Sequence, residues 1–139
     1  MTKPSLSEQQ NLLRMPPEDY MNAEQTAFFL RLLQHERDEL ISHIDYLKAQ
    51  LQRSEQQGDE ADKAIREEEL RLLFRQIDRE SRLLPKIDAA VQRIHRGEYG
   101  YCLLSGDPIG LQRLLLRPTA ELSIDAKIKQ EKIEAQYRK

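Results

Sequence analysis

The sequence predicts a mainly α-helical chain: a long antiparallel coiled-coil hairpin followed by a small C-terminal globular domain that ends in a helix. Two long stretches carry apolar residues at the spacing of a helical seam. A short acidic segment around Gly58 separates them, and the other four of the chain's five glycines crowd together after Arg96.

Residues 1–20 are polar and punctuated by Pro4, Pro16 and Pro17, so they are expected to be an N-terminal arm. Leu6, Leu12 and Leu13 allow it a short docking helix; a loose arm is the alternative. The hairpin is expected over 21–96, with helices at about 23–53 and 60–96 and a tip at 54–62. Asn22 with Gln25 three residues on has the pattern of a capping box. The first seam is Phe29, Leu33, Leu40, Ile44, Leu47 and Leu51, with spacings of 7, 4, 3 and 4 after the first step. Gly58 permits a reversal, and Asp59 is a good cap for the next helix. The second seam is Leu70, Phe74, Ile77, Leu84, Ile87, Val91 and Ile94, with Ser81 in its gap, and Gly97 supplies the stop.

Neither helix is apolar all round, so each must bury its stripe, and the short connection makes the other helix the partner. A rise of about 1.5 Å per residue gives a hairpin roughly 45–50 Å long. Pro85 removes a backbone donor inside the second helix and predicts a local kink there. Residues 97–139 form the C-terminal domain, with tight turns and then a helix at about 124–137 capped by Ser123. A domain of that size usually needs a metal or disulfide staple, or must pack on its neighbours.

Composition narrows the function. Of 139 residues, 39% are hydrophobic and 33% charged, which suits solvated helices better than a compact globule. The net charge of −2 gives no basic character that would point to nucleic acid, so no sequence-specific DNA binding is expected. The single Cys102 excludes an internal disulfide framework and fits a reducing compartment. No apolar run approaches the roughly 18 residues of a membrane span, and the first twenty residues lack the core of a signal peptide. The expectation is a cytoplasmic protein with no membrane association.

Three groups of residues are candidates for chemistry. Glu55, Asp59, Glu60 and Asp62 crowd the turn. They are either a solvated helix start, where acids favour the macrodipole, or a carboxylate tip that a long stalk presents to a distant metal ion or basic groove. Arg75, Arg79, Arg82, Lys86 and Arg93 lie at offsets 0, 4, 7, 11 and 18, one narrow stripe opposite the seam. That stripe is either a solvated face or part of an anion site that Arg117 and Lys127 would complete.

The third group is defined by what it lacks. Cys102, Ser105, Ser123 and Ala126 stand at the four positions of a C-x-x-C…C-x-x-C site, so the layout is zinc-finger-like. Serine is a poor zinc ligand and alanine none, so no bound metal is expected and Cys102 is read as a small buried apolar residue. Tyr99 and Tyr101 are accounted for by core packing. No constellation for nucleophilic catalysis and no glycine-rich phosphate loop is present, so the chain is not expected to be an enzyme.

These residues resemble the DksA/TraR family. The resemblance rests on Asp59-x-x-Asp62-x-Ala64 followed by Glu67-Glu68-Glu69, on Gly100-Tyr101-Cys102-x-x-Ser105-Gly106 with Ile109-Gly110, and on Arg117-Pro118-Thr119-Ala120-x-Leu122-Ser123-Ile124-Asp125-Ala126-Lys127. It runs from about Tyr20 to the last residue. It implies a bacterial transcription regulator that binds RNA polymerase directly through the secondary channel and, with ppGpp, modulates promoter initiation in the stringent response. Asp59, Asp62 and Ala64 would be the tip near the polymerase active site. Arg79, Arg82, Leu83, Lys86, Arg117 and Lys127 would bind ppGpp, the co-regulator, and arginine and lysine suit phosphate.

With one of four zinc cysteines left, the chain looks like a zinc-independent paralogue. Leu103 and Leu104, with Leu114, Leu115 and Leu116, are then expected to supply a compensating core. The alternative function is a secondary-channel transcript-cleavage accessory factor whose tip acids hold a magnesium ion. A structural coiled coil that oligomerises through its seam is the third reading; an intramolecular hairpin consumes that seam, so a monomer is expected.

Overall fold

The computed structural model describes residues 3–56 and 63–138. It is helical throughout: α1 (Leu6–Leu13), a 3₁₀ turn (Pro17–Asp19), α2 (Ala23–Gln56), α3 (Lys63–Ser81), α4 (Leu83–His95), α5 (Leu111–Leu116) and α6 (Ile124–Tyr137). Among the described residues no strand forms; one isolated antiparallel bridge joins Tyr101 to Pro108. Contacts divide the chain into two compact units, residues 1–34 with 89–139, and residues 35–88. The division falls inside α2 and α4, where nothing in the apolar pattern marks it.

Local chemistry sets the helix ends. Asn22 Oδ1 accepts the Gln25 N–H at 2.8 Å, and Gln25 Oε1 accepts the Met21 N–H at 2.8 Å, so both members of the capping pair satisfy donors at the start of α2. Gly97, at φ +73°, closes α4: the Glu98 N–H donates to the Arg93 carbonyl at 2.9 Å and the Gly97 N–H to that of Ile94 at 3.1 Å. That bond pair is a Schellman motif. Ser123 Oγ accepts the Ala126 N–H at 3.2 Å and starts α6.

The second half of the predicted hairpin differs from its expectation. It is two helices, broken at Arg82, rather than one helix kinked at Pro85. Proline lacks the N–H that would bond the carbonyl four residues back, which is that of Ser81, and its ring crowds the same carbonyl. The break therefore precedes the proline, and Pro85 stands in the first turn of α4, where a missing N–H costs nothing.

The unit formed by 1–34 and 89–139 has a continuous core. Phe29, Leu33 and Leu114 are fully buried and Leu12, Tyr99, Ile94, Ile109 and Ala120 nearly so. Phe29 packs edge-on against Phe28, with centroids 5.2 Å apart, and tilted against Tyr99 at 5.5 Å. The 1–20 segment belongs to this core rather than hanging loose. Ser5 caps α1, Leu12 is buried, and Glu8 pairs with Arg31. That Arg31 pairing, chiefly its hydrogen bond, lowers the Glu8 carboxyl below its ordinary value.

Tyr20 ties the segment further: its hydroxyl donates to the Gly100 carbonyl at 2.6 Å and accepts the Gly110 N–H at 2.9 Å. A side chain at position 100 would be strained. The φ of Gly100 is +93°, and a Cβ would lie 2.8 Å from the Met21 side chain.

The expected leucine core is not the one observed. Leu103, Leu104 and Leu116 are 55%, 69% and 85% exposed, and of the five leucines only Leu114 is fully buried. A tight turn projects residues 103 and 104 outward, and the core is closed instead by Tyr99, Cys102, Ile109 and Ala126.

In the 35–88 unit the antiparallel stretches of α2, α3 and α4 pair through Ile44, Leu47 and Ile87, all buried. Polar cross-links flank that seam. His43 Nδ1 lies 2.6 Å from Glu80 Oε2, and Arg37 Nε donates to Asp88 Oδ1 at 2.8 Å. α3 has no buried residue. Leu73, rather than the expected Phe74, shares the seam side with Leu70 and Ile77; Phe74 is 54% exposed. Steps of three and four both fit a helical repeat, so spacing alone leaves this choice open.

Candidate functional site

Of the tip residues, Asp59 and Asp62 lie outside the described residues, as do Gly58 and Glu60. Ala64 stands exposed in the first turn of α3. Glu55 is exposed at the end of α2.

The basic stripe is reorganised by the helix break. Arg75 and Arg79 are exposed on α3, Lys86 is exposed on α4, and Leu83 is 42% exposed at the start of α4. Arg82 occupies the break itself and pairs with Asp78 at 2.9 Å, a pair in water that contributes little to stability. Arg93 does not share the solvated face expected of it. It belongs to the other unit, is 8% exposed, and lies 3.4 Å from Glu121. Arg79, Arg82, Leu83 and Lys86 fall in the 35–88 unit, whereas Arg117 and Lys127 fall in the unit with residues 89–139. Arg117 is exposed at the end of α5, where its N–H donates to the Arg113 carbonyl at 2.8 Å; Lys127 is half-buried in the first turn of α6.

The four zinc-finger positions come together around a backbone-braced turn. The Cys102 N–H donates to the Asp107 carbonyl at 2.7 Å, and the Gly106 N–H returns to the Cys102 carbonyl at 2.9 Å. A third bond, from the Leu103 N–H to the Glu121 carbonyl at 2.9 Å, fastens the turn to the segment before α6.

Cys102 is buried, and burial by itself raises a thiol pKa. Hydrogen bonds from the Ser105 hydroxyl and from the backbone N–H groups of Ser123, Ser105 and Leu104 outweigh burial and lower it from 9.0 to about 6. Cys102 is thus buried as expected, and its sulfur is hydrogen-bonded as well.

The four positions do not fit a zinc ion. Cys102 is the only thiol, Ala126 carries no donor atom, and the hydroxyls of Ser105 and Ser123 already accept the N–H groups of Asp107 and Ala126 at 3.3 and 3.2 Å. Among the described residues no group of three or more histidine, cysteine, aspartate or glutamate side chains is placed to hold a metal. The turn keeps its shape with N–H groups satisfied on sulfur and carbonyls instead.

Comparison with known proteins matches both halves of the chain. Residues 25–94 match the family "DnaK suppressor protein DksA, N-terminal domain", and residues 97–132 match the "Prokaryotic dksA/traR C4-type zinc finger". The chain belongs to the DksA family.

Among its relatives is the RNA polymerase-binding transcription factor DksA of Caulobacter vibrioides, 38% identical over 126 residues, which are 88% of this chain and 89% of the relative. The protein of the same name from Escherichia coli is 39% identical over 113 residues, covering 81% and 75%. The solved structure of transcription factor DksA2 from Pseudomonas aeruginosa superposes with a TM-score of 0.88 at 48% identity, covering 92% of this chain and 98% of that one.

The residues the sequence did not single out are Tyr20, which holds the turns at Gly100 and Gly110, and Met21, which lies against Gly100; the only signal for them is their place just ahead of the Asn22–Gln25 cap. No helix among the described residues is long and apolar enough to cross a membrane.

Proposed function

We propose that the chain regulates promoter initiation by binding bacterial RNA polymerase directly, entering through the secondary channel with the hairpin tip foremost and with ppGpp as co-regulator. The observation that carries this is the similarity, over most of the length of both chains, to factors named for RNA polymerase binding. In this reading Asp59, Asp62 and Ala64 act near the polymerase active site, and Arg79, Arg82, Leu83, Lys86, Arg117 and Lys127 contribute to the ppGpp site. The protein acts in the cytoplasm as a monomer, without catalysis of its own and without a zinc ion. The absence of a fourth donor at Ala126 and the hydrogen-bonded Cys102 sulfur support the last point.

The test is in vitro transcription from a ribosomal promoter in zinc-free buffer, with and without ppGpp. Wild type should inhibit more strongly with ppGpp, and Asp62→Asn should bind polymerase yet fail to inhibit. Full inhibition by Asp62→Asn would remove the tip assignment; cleavage of the transcript in stalled complexes would replace initiation control with the accessory-factor reading.

A further inference from the structure

The turn that carries Ser105 and the outer side of α6 enclose an open cleft of about 520 Å³, within the range of ligand-binding clefts. Its walls are Leu104, Ala126 and Ile133. Ala126 forms a buried floor, while Leu104 and Ile133 are 69% and 54% exposed, two branched aliphatic side chains held in water on either side of one hollow. The leucine is where it is because the turn is braced from inside: with Cys102 N–H, Leu103 N–H and Gly106 N–H all committed to carbonyls, residues 103–105 have only an outward course.

The rim is acidic. Asp107 on the turn and Asp125 and Glu134 on α6 line the cleft, against Lys129 as the one cation lining it. None of the three carboxylates takes part in an ion pair, although seven ion pairs form elsewhere among the described residues.

We propose that this cleft docks a short basic, aliphatic peptide segment of a protein partner: a leucine- or isoleucine-like side chain between Leu104 and Ile133, flanked by lysine or arginine that meets Asp107, Asp125 and Glu134. The apolar walls demand an aliphatic knob. The surplus of two negative charges on the rim demands cations on either side of it, and the same charges repel a nucleic acid backbone.

A second copy of the chain could offer Leu116, which is 85% exposed, beside Arg117. Arg117 is the one cation available beside that leucine, because Arg113 Nε is committed to the Leu122 carbonyl at 3.0 Å, so a second copy would leave most of the acidic rim unmatched. The occupant is therefore a segment of another protein. This inference does not depend on the polymerase reading.

The experiment titrates the ¹⁵N-labelled full chain with a capped peptide of sequence KKLLKLK. Saturable shifts confined to residues 103–107 and 123–134 are expected. The double variant Leu104→Ser with Ile133→Ser, both at exposed positions, should weaken binding about tenfold with an unchanged melting temperature. Asp107→Asn with Glu134→Gln should weaken it about threefold, and added salt should do the same to wild type. Equal binding of KKSSKSK would show charge attraction alone and overturn the proposal, as would equal binding of EELLELE, shifts spread over the whole chain, or no saturable shift. A molar mass in light scattering that rises with concentration, and falls back in the Leu104→Ser, Ile133→Ser variant, would make the cleft a self-association surface and overturn it too.

Discussion

Of the fifteen buried apolar side chains among the described residues, twelve lie in the unit built from 1–34 and 89–139, and three, Ile44, Leu47 and Ile87, lie in the 35–88 unit. The first unit is held by burial, which is non-directional and is not screened by salt. The second is held by a thin seam and by the cross-links His43–Glu80 and Arg37–Asp88, of which the Arg37–Asp88 ion pair weakens as salt rises. A hairpin with so little buried surface opens locally at a lower free energy than the unit beside it.

The comparison is sharpest at Phe29. It is fully buried against Phe28 and Tyr99, so Phe29→Ala should cost about 3–5 kcal/mol in urea unfolding. Ile44→Ala, in the hairpin, should fall near the lower end of about 2–5 kcal/mol. Equal costs would break the contrast between the two units.

The next largest effect concerns pH. Cys102 has a folded pKa of about 6 against 9.0 unfolded, so between these values the unfolded chain binds more protons. Stability should rise with pH across that window, by at most about 1.4 kcal/mol per unit, and be lost as pH falls through about 6. Chemical denaturation from pH 5.5 to 9 should show a steeper rise in wild type than in Cys102→Ala.

The smallest effect belongs to the hairpin: Glu80→Gln should cost under about 1 kcal/mol, because the His43 side chain is 45% exposed and glutamine keeps an oxygen in place to pair with it. Its signature is faster amide exchange confined to residues 35–88.

Helix ends were legible because each is decided within a few residues: Asn22 and Gln25, Gly97, and Ser123 act through bonds no farther than a turn away. The break at Arg82 was half legible; Pro85 announces it, but the lost bond belongs to the carbonyl of Ser81, so the interruption appears upstream. The choice of Leu73 over Phe74 was not legible, because a seam three residues wide admits either. Nor was the outward course of Leu103 and Leu104, which follows from hydrogen bonds to Asp107 and Glu121 rather than from their own hydrophobicity. The role of Tyr20 depends on partners 80 and 90 residues away, beyond any local pattern. As for the site, the exposure of Arg75, Arg79, Arg82 and Lys86 was legible, while the burial of Arg93 depends on its membership of the other unit, where it meets Glu121.

That hydroxyl of Tyr20 also sets an order of events during synthesis. Its two partners, Gly100 and Gly110, follow the end of the 35–88 unit by 12 and 22 residues of synthesis. The hairpin, with partners close in sequence, can form while the chain is still growing, whereas Leu12, Phe29 and Leu33 must wait with their apolar surfaces uncovered until residues 89–120 arrive. The best-buried part of the molecule is thus the last to assemble, and a nascent chain halted before Gly110 would hold a finished 35–88 unit while the other unit still lacked residues of its core.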